Sequence, residues 1–245
     1  MNYAAKSVIG KRAKNEDACY IPPKEGAPSV PFVAVADGMG GHAAGATAAK
    51  LVIEGLKTGL ASVRGDDPIG VLKRAVASAN LDVFRAAEVD SRLFGMGSTL
   101  VCALLYENRF IAANVGDSRL YHFDGETIAQ VTEDHSLVAM LLSSGAITPE
   151  EALHHPKRNL ITRAMGLGIR VETDIFDRSW KRGDILLLCS DGLCGSVTPN
   201  EMQGVLSRKL TLEQMCEVLV KKADENGATD NITVVLARCE GGESA

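Results

Sequence analysis

The sequence predicts an α+β fold: a four-layer α/β/β/α sandwich of two antiparallel sheets flanked by helices. Three observations point there. Strand-like runs at Thr99–Leu105, Arg109–Val115, Arg119–Phe123 and Ile128–Thr132 follow one another across links of only a few residues. Links that short join antiparallel neighbours and leave no room for a crossover helix. Paired helical patterns flank this block on both sides, so the helices pack outside the strands. Finally, 46% of the 245 residues are hydrophobic and 23% charged, enough apolar material for one large folded domain, residues 1–240.

In chain order, Ala18-Cys19-Tyr20-Ile21 is a short strand stopped by Pro22-Pro23, and a Gly/Pro/Ser turn region follows. Val33-Ala34-Val35-Ala36 reads as a buried strand that ends at Asp37. Gly38, Gly40 and Gly41 then let the backbone turn, and an Ala-rich helix runs from about Ala43 towards Leu60. Asp67 caps a second helix with Pro68 in its first turn; Ile69, Leu72, Val76, Ala79, Val83 and Ala87 recur at helical spacing. Tyr106-Glu107-Asn108, Gly116-Asp117-Ser118 and Asp124-Gly125-Glu126 connect the next four strands into a meander, Asp-Gly being a hairpin signal. His135 to Ser144 reads as a helix capped by Asp134, and Thr148-Pro149-Glu150-Glu151 opens a short helix in the polar segment 145–166. Ile185–Cys189 is a buried strand leading to Asp191-Gly192. Thr198-Pro199-Asn200-Glu201 and Thr211-Leu212-Glu213-Gln214 are capping boxes opening two helices, the second stopping at Gly227. Ile232–Ala237 is the last strand, and 241–245 is a frayed tail.

The net charge of −5 argues against nucleic acid as the main partner. No apolar run approaches the ~18 residues of a membrane span, and the N-terminus lacks the apolar core of a signal peptide. A cytoplasmic monomer with no membrane partner is the expectation. The six cysteines contain no C-x-x-C pair, so free thiols are expected rather than disulfides or a zinc site.

Asp37, Asp117, Asp191 and Asp230 each stand where an apolar strand run ends or begins, the first three beside glycine. Glu16-Asp17 precedes another strand. Two readings compete. Such residues form turns for local reasons, or they converge in one cleft, where they cannot all stay ionised without a cation. Four at strand ends together with Glu16-Asp17 favour convergence. Oxygen donors select hard ions, Mn²⁺ or Mg²⁺ rather than zinc. Asp37 has two oxygens with which to bridge a pair of them. Arg12, just upstream, is an ion-pair partner for such acids, or a fork that binds phosphate oxygens in pairs. Two metals and an arginine read as phosphoester hydrolysis, the metals lowering the pKa of a shared water from ~15.7 towards ~7. Other motifs fail: no serine sits in G-x-S-x-G, and the glycine turn lacks the Lys-Ser/Thr of a P-loop. His122, within a strand, reads as structural, His135 falls in a helix's first turn, and the adjacent His154-His155 stand in a polar loop where neighbouring side chains rarely point to one ion, whereas His42 lies close enough to the glycine turn to face the cleft.

Several stretches match a known family. They are Arg12-Ala13-Lys14-Asn15-Glu16-Asp17, Val35 to His42, Gly97-Ser98-Thr99-Leu100, Asn114 to Arg119, Gly145-Ala146-Ile147-Thr148, His155-Pro156 with Asn159 to Arg163, Ser190-Asp191-Gly192-Leu193, and Asp230-Asn231-Ile232-Thr233. In this order, over nearly the whole chain, they resemble the metal-dependent Ser/Thr protein phosphatases, the PPM (type 2C) family, in its compact bacterial form. The resemblance implies that Asp37 bridges two Mn²⁺ or Mg²⁺ ions. Asp191 and Asp230 would hold the first, and Glu16 with the Gly38 carbonyl the second. Asp17 would orient metal-bound water and Arg12 would clamp the phosphate. Asp117 with Asp191 would match a third metal site, and 145–166 a flap that bears on substrate choice. The chain departs from the family where Gly10 stands one residue closer to Arg12 than usual. It departs again where Met39 replaces a histidine that protonates the leaving group in many eukaryotic members. A metal-bound water or His42 is then the general acid.

The reading is a phosphatase acting on phosphoserine and phosphothreonine of proteins, by attack of a hydroxide bridging two divalent metals, against a cognate Ser/Thr kinase. The alternatives are a two-metal phosphatase of small phosphoesters and a non-catalytic phosphoprotein-binding module; the module predicts missing metal acids, and none is missing.

Overall fold

The computed structural model describes residues 1–23, 30–41, 44–61 and 67–240. The strands in chain order are β1 Asn2–Val8, β2 Asp17–Tyr20, β3 Phe32–Met39, β4 Gly97–Ser98, β5 Leu100–Leu105, β6 Arg109–Val115, β7 Arg119–Phe123, β8 Ile128–Gln130, β9 Asp174–Ser179, β10 Ile185–Cys189 and β11 Ile232–Arg238. The α-helices are α1 Ala44–Leu60, α2 Pro68–Val89, α3 Leu137–Ser143, α4 Pro149–Leu153, α5 Asp191–Cys194, α6 Pro199–Leu206 and α7 Leu212–Glu225.

The strands make two antiparallel sheets, ordered β1-β11-β10-β7-β8 and β2-β3-β5-β6-β9, with β4 paired to β3. Period-2 alternation sorts their side chains between three apolar layers. On β3, Val33 and Val35 point between the sheets, where they join Val101, Phe110, Leu120, Leu186, Leu188 and Val235. Phe32, Ala34 and Ala36 point the other way, into the layer filled by Ala48, Val52 and Leu56 of α1 and Leu72, Val76 and Val83 of α2. Across the molecule, Leu187, Val234 and Leu236 meet Met202 and Val205 of α6 and Met215 and Leu219 of α7. The order helix, sheet, sheet, helix is the expected sandwich.

Caps fix the helix ends as the sequence reads. Asp67 accepts from Gly70 N at 2.8 Å. Thr148, Thr198 and Thr211 each close a capping box. At the end of α7, Gly227 has φ of 85°, and its N–H and that of Ala228 bond to the Asp224 and Ala223 carbonyls. That is the bond pattern of a glycine stop. All six cysteines are free.

Four readings are corrected. The meander breaks at Gly116-Asp117-Ser118: β6 lies in one sheet and β7 in the other, so this link crosses between sheets. Asp37 does not end its strand, because Gly38 and Met39 continue it by pairing with Ser98 and Gly97. The cap of α3 is Ser136, whose Oγ accepts from Ala139 N, while Asp134 is taken by a two-pronged bond from Arg119. His135 therefore precedes the helix instead of opening it. Strands β1 and β9 carry no strong sequence signal; both are sheet edges with mixed exposed residues. His42 and the 241–245 tail lie outside the described residues.

Candidate active site

Five acids from separate segments meet where the two sheets open at one edge. Asp17 lies directly across from Asp37 in the β2–β3 register. Ser190 N donates to the Thr233 carbonyl, which sets the Asp191 and Asp230 turns side by side. Asp117 arrives on the link between the sheets, held by a 2.7 Å hydroxyl contact between Ser118 and Thr99. Thr99 also accepts from Asp37 N and donates its own N–H to the Asp37 carbonyl.

The charges register this convergence. Burial first, then Asp17, Asp191, Asp117 and Asp230, push the Asp37 carboxyl well above its ordinary value. Burial pushes Asp17 up to about 6, with help from Asp191 and Asp230 and against bonds from Thr233 and Ser190. Asp117 rises to about 7 through burial and the nearby Asp191. Asp191 is raised by burial and Asp230, although its hydrogen bond with Asp37 works the other way. Mutual repulsion of crowded, desolvated carboxylates is the situation a cation relieves.

Among the described residues, two of these carboxyls have a buried oxygen with no hydrogen-bond partner, Asp17 Oδ1 and Asp191 Oδ1. Unpaired buried oxygens are costly unless something else ligates them. Among the described residues no three Asp, Glu, His or Cys side chains already form a closed ion cage. Like charges keep apart without a counterion, and the Asp230 carboxylate is taken by Arg12 Nη2 at 2.5 Å. Carboxylate and carbonyl oxygens with spare lone pairs fit a hard divalent ion.

Glycines shape the second half of the site. A Cβ on Gly38 would stand 2.0 Å from the Gly45 carbonyl oxygen and 2.7 Å from that of Glu16. A Cβ on Gly45 would meet the Gly38 oxygen at 2.8 Å and the Glu16 carboxyl at 2.9 Å. The Glu16 side chain and the Gly38 carbonyl thus face the first turn of α1 together. Gly10, at φ of 58°, packs its α-carbon against the Asp230 carbonyl, where a Cβ would stand at 2.1 Å. This places the Arg12 loop over Asp230.

The structure thus gathers Asp17, Asp37, Asp117, Asp191 and Asp230, with Glu16, Gly38 and Arg12 at the rim. Sequence reasoning gave no role to the groups that hold them. Asp17 Oδ2 accepts from Ser190 Oγ at 2.8 Å and Thr233 Oγ1 at 2.6 Å. Asn231 accepts from Glu16 N and donates to the Ile9 and Lys14 carbonyls, tying the Arg12 loop to the Asp230 turn. Their only signal is adjacency to the acids, in Ser190-Asp191 and Asp230-Asn231. His135 ties two elements together: Nδ1 accepts from Gly116 N at 3.0 Å and Nε2 donates to Asp174 at 3.0 Å.

Comparisons with known proteins agree. A family described as Protein phosphatase 2C matches residues 5–237. The serine/threonine phosphatase Stp of Listeria monocytogenes is 41% identical over 210 residues, 84% of this chain and 83% of its own. A crystal structure of a bacterial serine phosphatase superposes with a TM-score of 0.91 at 37% identity, covering 99% of both chains. The catalytic domain of the phosphatase PstP, solved with two manganese ions, superposes with a TM-score of 0.85 at 38% identity, covering 97% of both. With a match over nearly its whole length and relatives this similar, the chain belongs to the protein phosphatase 2C family.

Proposed function

We propose that the carboxylate cleft hydrolyses phosphoserine and phosphothreonine esters on proteins, with two Mn²⁺ or Mg²⁺ ions as cofactors and Asp117 with Asp191 available to a third. The observation that carries this reading is the convergence of five acids, two with orphaned oxygens, beneath an arginine.

In the proposal Asp37, Asp191 and Asp230 would hold one ion, and Asp37 with Glu16 and the Gly38 carbonyl would hold the other. When bound, the cations supply an ionisable water near neutral pH and offset the charge of the phosphoryl oxygens. The protein's own groups do the rest. Asp17, fixed by Ser190 and Thr233 and with its Oδ1 unpaired, would orient the attacking water. Arg12 pairs with Asp230 while its side chain is 56% exposed. An exposed pair is worth at most about 1 kcal/mol, so transferring the fork to a phosphate costs little. The leaving alkoxide needs a proton. His42 and cleft water are the proposed sources, and Met39 offers none.

Residues 1–240 are read as one catalytic domain, with 145–166 as its flap. No helix among the described residues is long and apolar enough to cross a membrane. Free cysteines suit a reducing compartment, so the proposal places the protein in the cytoplasm, as a monomer, opposing a Ser/Thr kinase. The test is release of phosphate from a phosphothreonine peptide with Mn²⁺. Asp37→Asn is expected to lower kcat at least about 100-fold, since a ligand shared by both ions is lost. Equal rates in the two proteins would falsify the assignment.

A further inference from the structure

Between Glu151 and Glu172 the chain carries basic residues and no acidic ones. Four of the 26 Lys and Arg, and none of the 31 Asp and Glu, fall within 152–171. His154 and His155 belong to the same stretch. Residues 154–160 line an open cavity of about 600 Å³. Lys157, Arg158 and Arg170 are exposed. Arg163 is engaged by Asp174 and Glu172.

This basic stretch is tied to the acid-bearing segments on its C-terminal side, at Thr162 and Met165. Thr162 N donates to the His135 carbonyl, and His135 in turn holds Gly116, next to Asp117. Met165 and Ser98 exchange two backbone bonds, and Ser98 Oγ donates to the Asp37 carbonyl. A second exposed basic run, Lys11, Arg12 and Lys14, stands beside Asp230. The acid cluster is thus linked through backbone bonds to one basic stretch and met at Asp230 by another, on a chain whose net charge is −5.

We infer that the 154–160 rim is a docking surface for carboxylate-rich sequence flanking the phosphorylated residue, so that acidic phosphopeptides are the preferred substrates. The inference rests on the phosphatase reading of the cleft. The phosphate sits at Arg12, and neighbouring Asp and Glu side chains pair with Lys157 and Arg158 across the mouth. Exposed pairs contribute about two- to fivefold each, and salt weakens them because the Debye length falls to roughly 3 Å at 1 M.

The experiment is fluorescence anisotropy with the Asp37→Asn protein and two labelled phosphothreonine peptides, one flanked on both sides by Asp and Glu, the other by Ala and Gln. Binding reads the rim without turnover, so failure of the phosphatase reading appears separately, as absence of wild-type phosphate release. At low salt the acidic peptide is expected to bind about tenfold more tightly, as two or more such pairs allow. The advantage shrinks in high salt. Adding Lys157→Glu and Arg158→Glu removes it, Lys157→Glu alone reduces it, and Lys157→Arg retains it. Equal affinity for the two peptides, or a preference that survives charge reversal, overturns the inference.

Discussion

Gly45 has no side chain, yet it bears on the chemistry as directly as the acids do. Its missing Cβ leaves the space that Glu16 and the Gly38 carbonyl occupy, with contacts of 2.9 and 2.8 Å to the position such an atom would take. Gly45→Ala is helix-favouring by roughly 1 kcal/mol on propensity alone. The clash reverses that benefit by displacing Glu16 or the α1 backbone. The expected outcome is Mn²⁺ affinity lowered about tenfold, in the range of losses for groups supporting a metal ligand. Isothermal titration would read this, and unchanged affinity would show that Glu16 does not serve an ion. Asn231 acts on the same loop by hydrogen bonding. Asn231→Ala frees Glu16 N and the Ile9 and Lys14 carbonyls at once. A loss of about 1–3 kcal/mol of stability is expected, measurable by urea unfolding.

At the level of elements, local signals decide what the sequence reveals. The Thr198 and Thr211 capping boxes, the Thr148 helix start and the Asp67 cap were legible because each is a bond between residues three apart. Thr211→Ala should cost about 1 kcal/mol, or about 2–4 °C in Tm for a chain this size, with kcat unaltered because Thr211 caps the end of α7 that lies by Arg238, at the opposite end of β11 from Asp230. A kcat change beyond twofold would contradict that separation. The β6–β7 crossing was not legible, because a three-residue link reads the same whether its strands pair or part. Edge strands β1 and β9 bury only one flank, so their patterns are weak. In the site, the acids stood out by type and by neighbouring glycines. Ser190, Thr233 and Asn231 did not, because their roles are contacts with residues 173 to 217 positions away. His135 joins two elements in the same hidden way, bonding Gly116 and Asp174 across 19 and 39 residues. His135→Ala should loosen the root of 145–166 and speed its limited proteolysis; protection equal to wild type would argue that the other backbone bonds suffice.

For the whole molecule, the acid cluster ties stability to pH and to metal in a direction that can be worked out. Asp17 at about 6, Asp117 at about 7, and Asp37 and Asp191, also raised, all protonate more readily in the metal-free fold than in the unfolded chain. Burial is the first cause in each case and repulsion among the acids adds to it. Between about pH 4 and 7 the folded state therefore holds more protons than the unfolded state, and unfolding free energy falls as pH rises. The stabilising contribution is complete below the unfolded carboxylate pKa and is lost as pH climbs through the folded values. Divalent cations replace those protons, so their binding strengthens as pH rises and releases protons to solvent. In EDTA, Tm is expected to fall from pH 5 to pH 7.5. With saturating Mn²⁺ the fall is offset, and the metal-induced gain in Tm is larger at pH 7.5 than at pH 5. Differential scanning calorimetry at the two pH values, with and without Mn²⁺, makes the measurement. A metal-free Tm that rises over this interval, or a Mn²⁺ gain independent of pH, would mean that the five acids do not share one field. In Asp37→Asn the pH dependence should flatten, because the central charge repelled by Asp17, Asp191, Asp117 and Asp230 is gone.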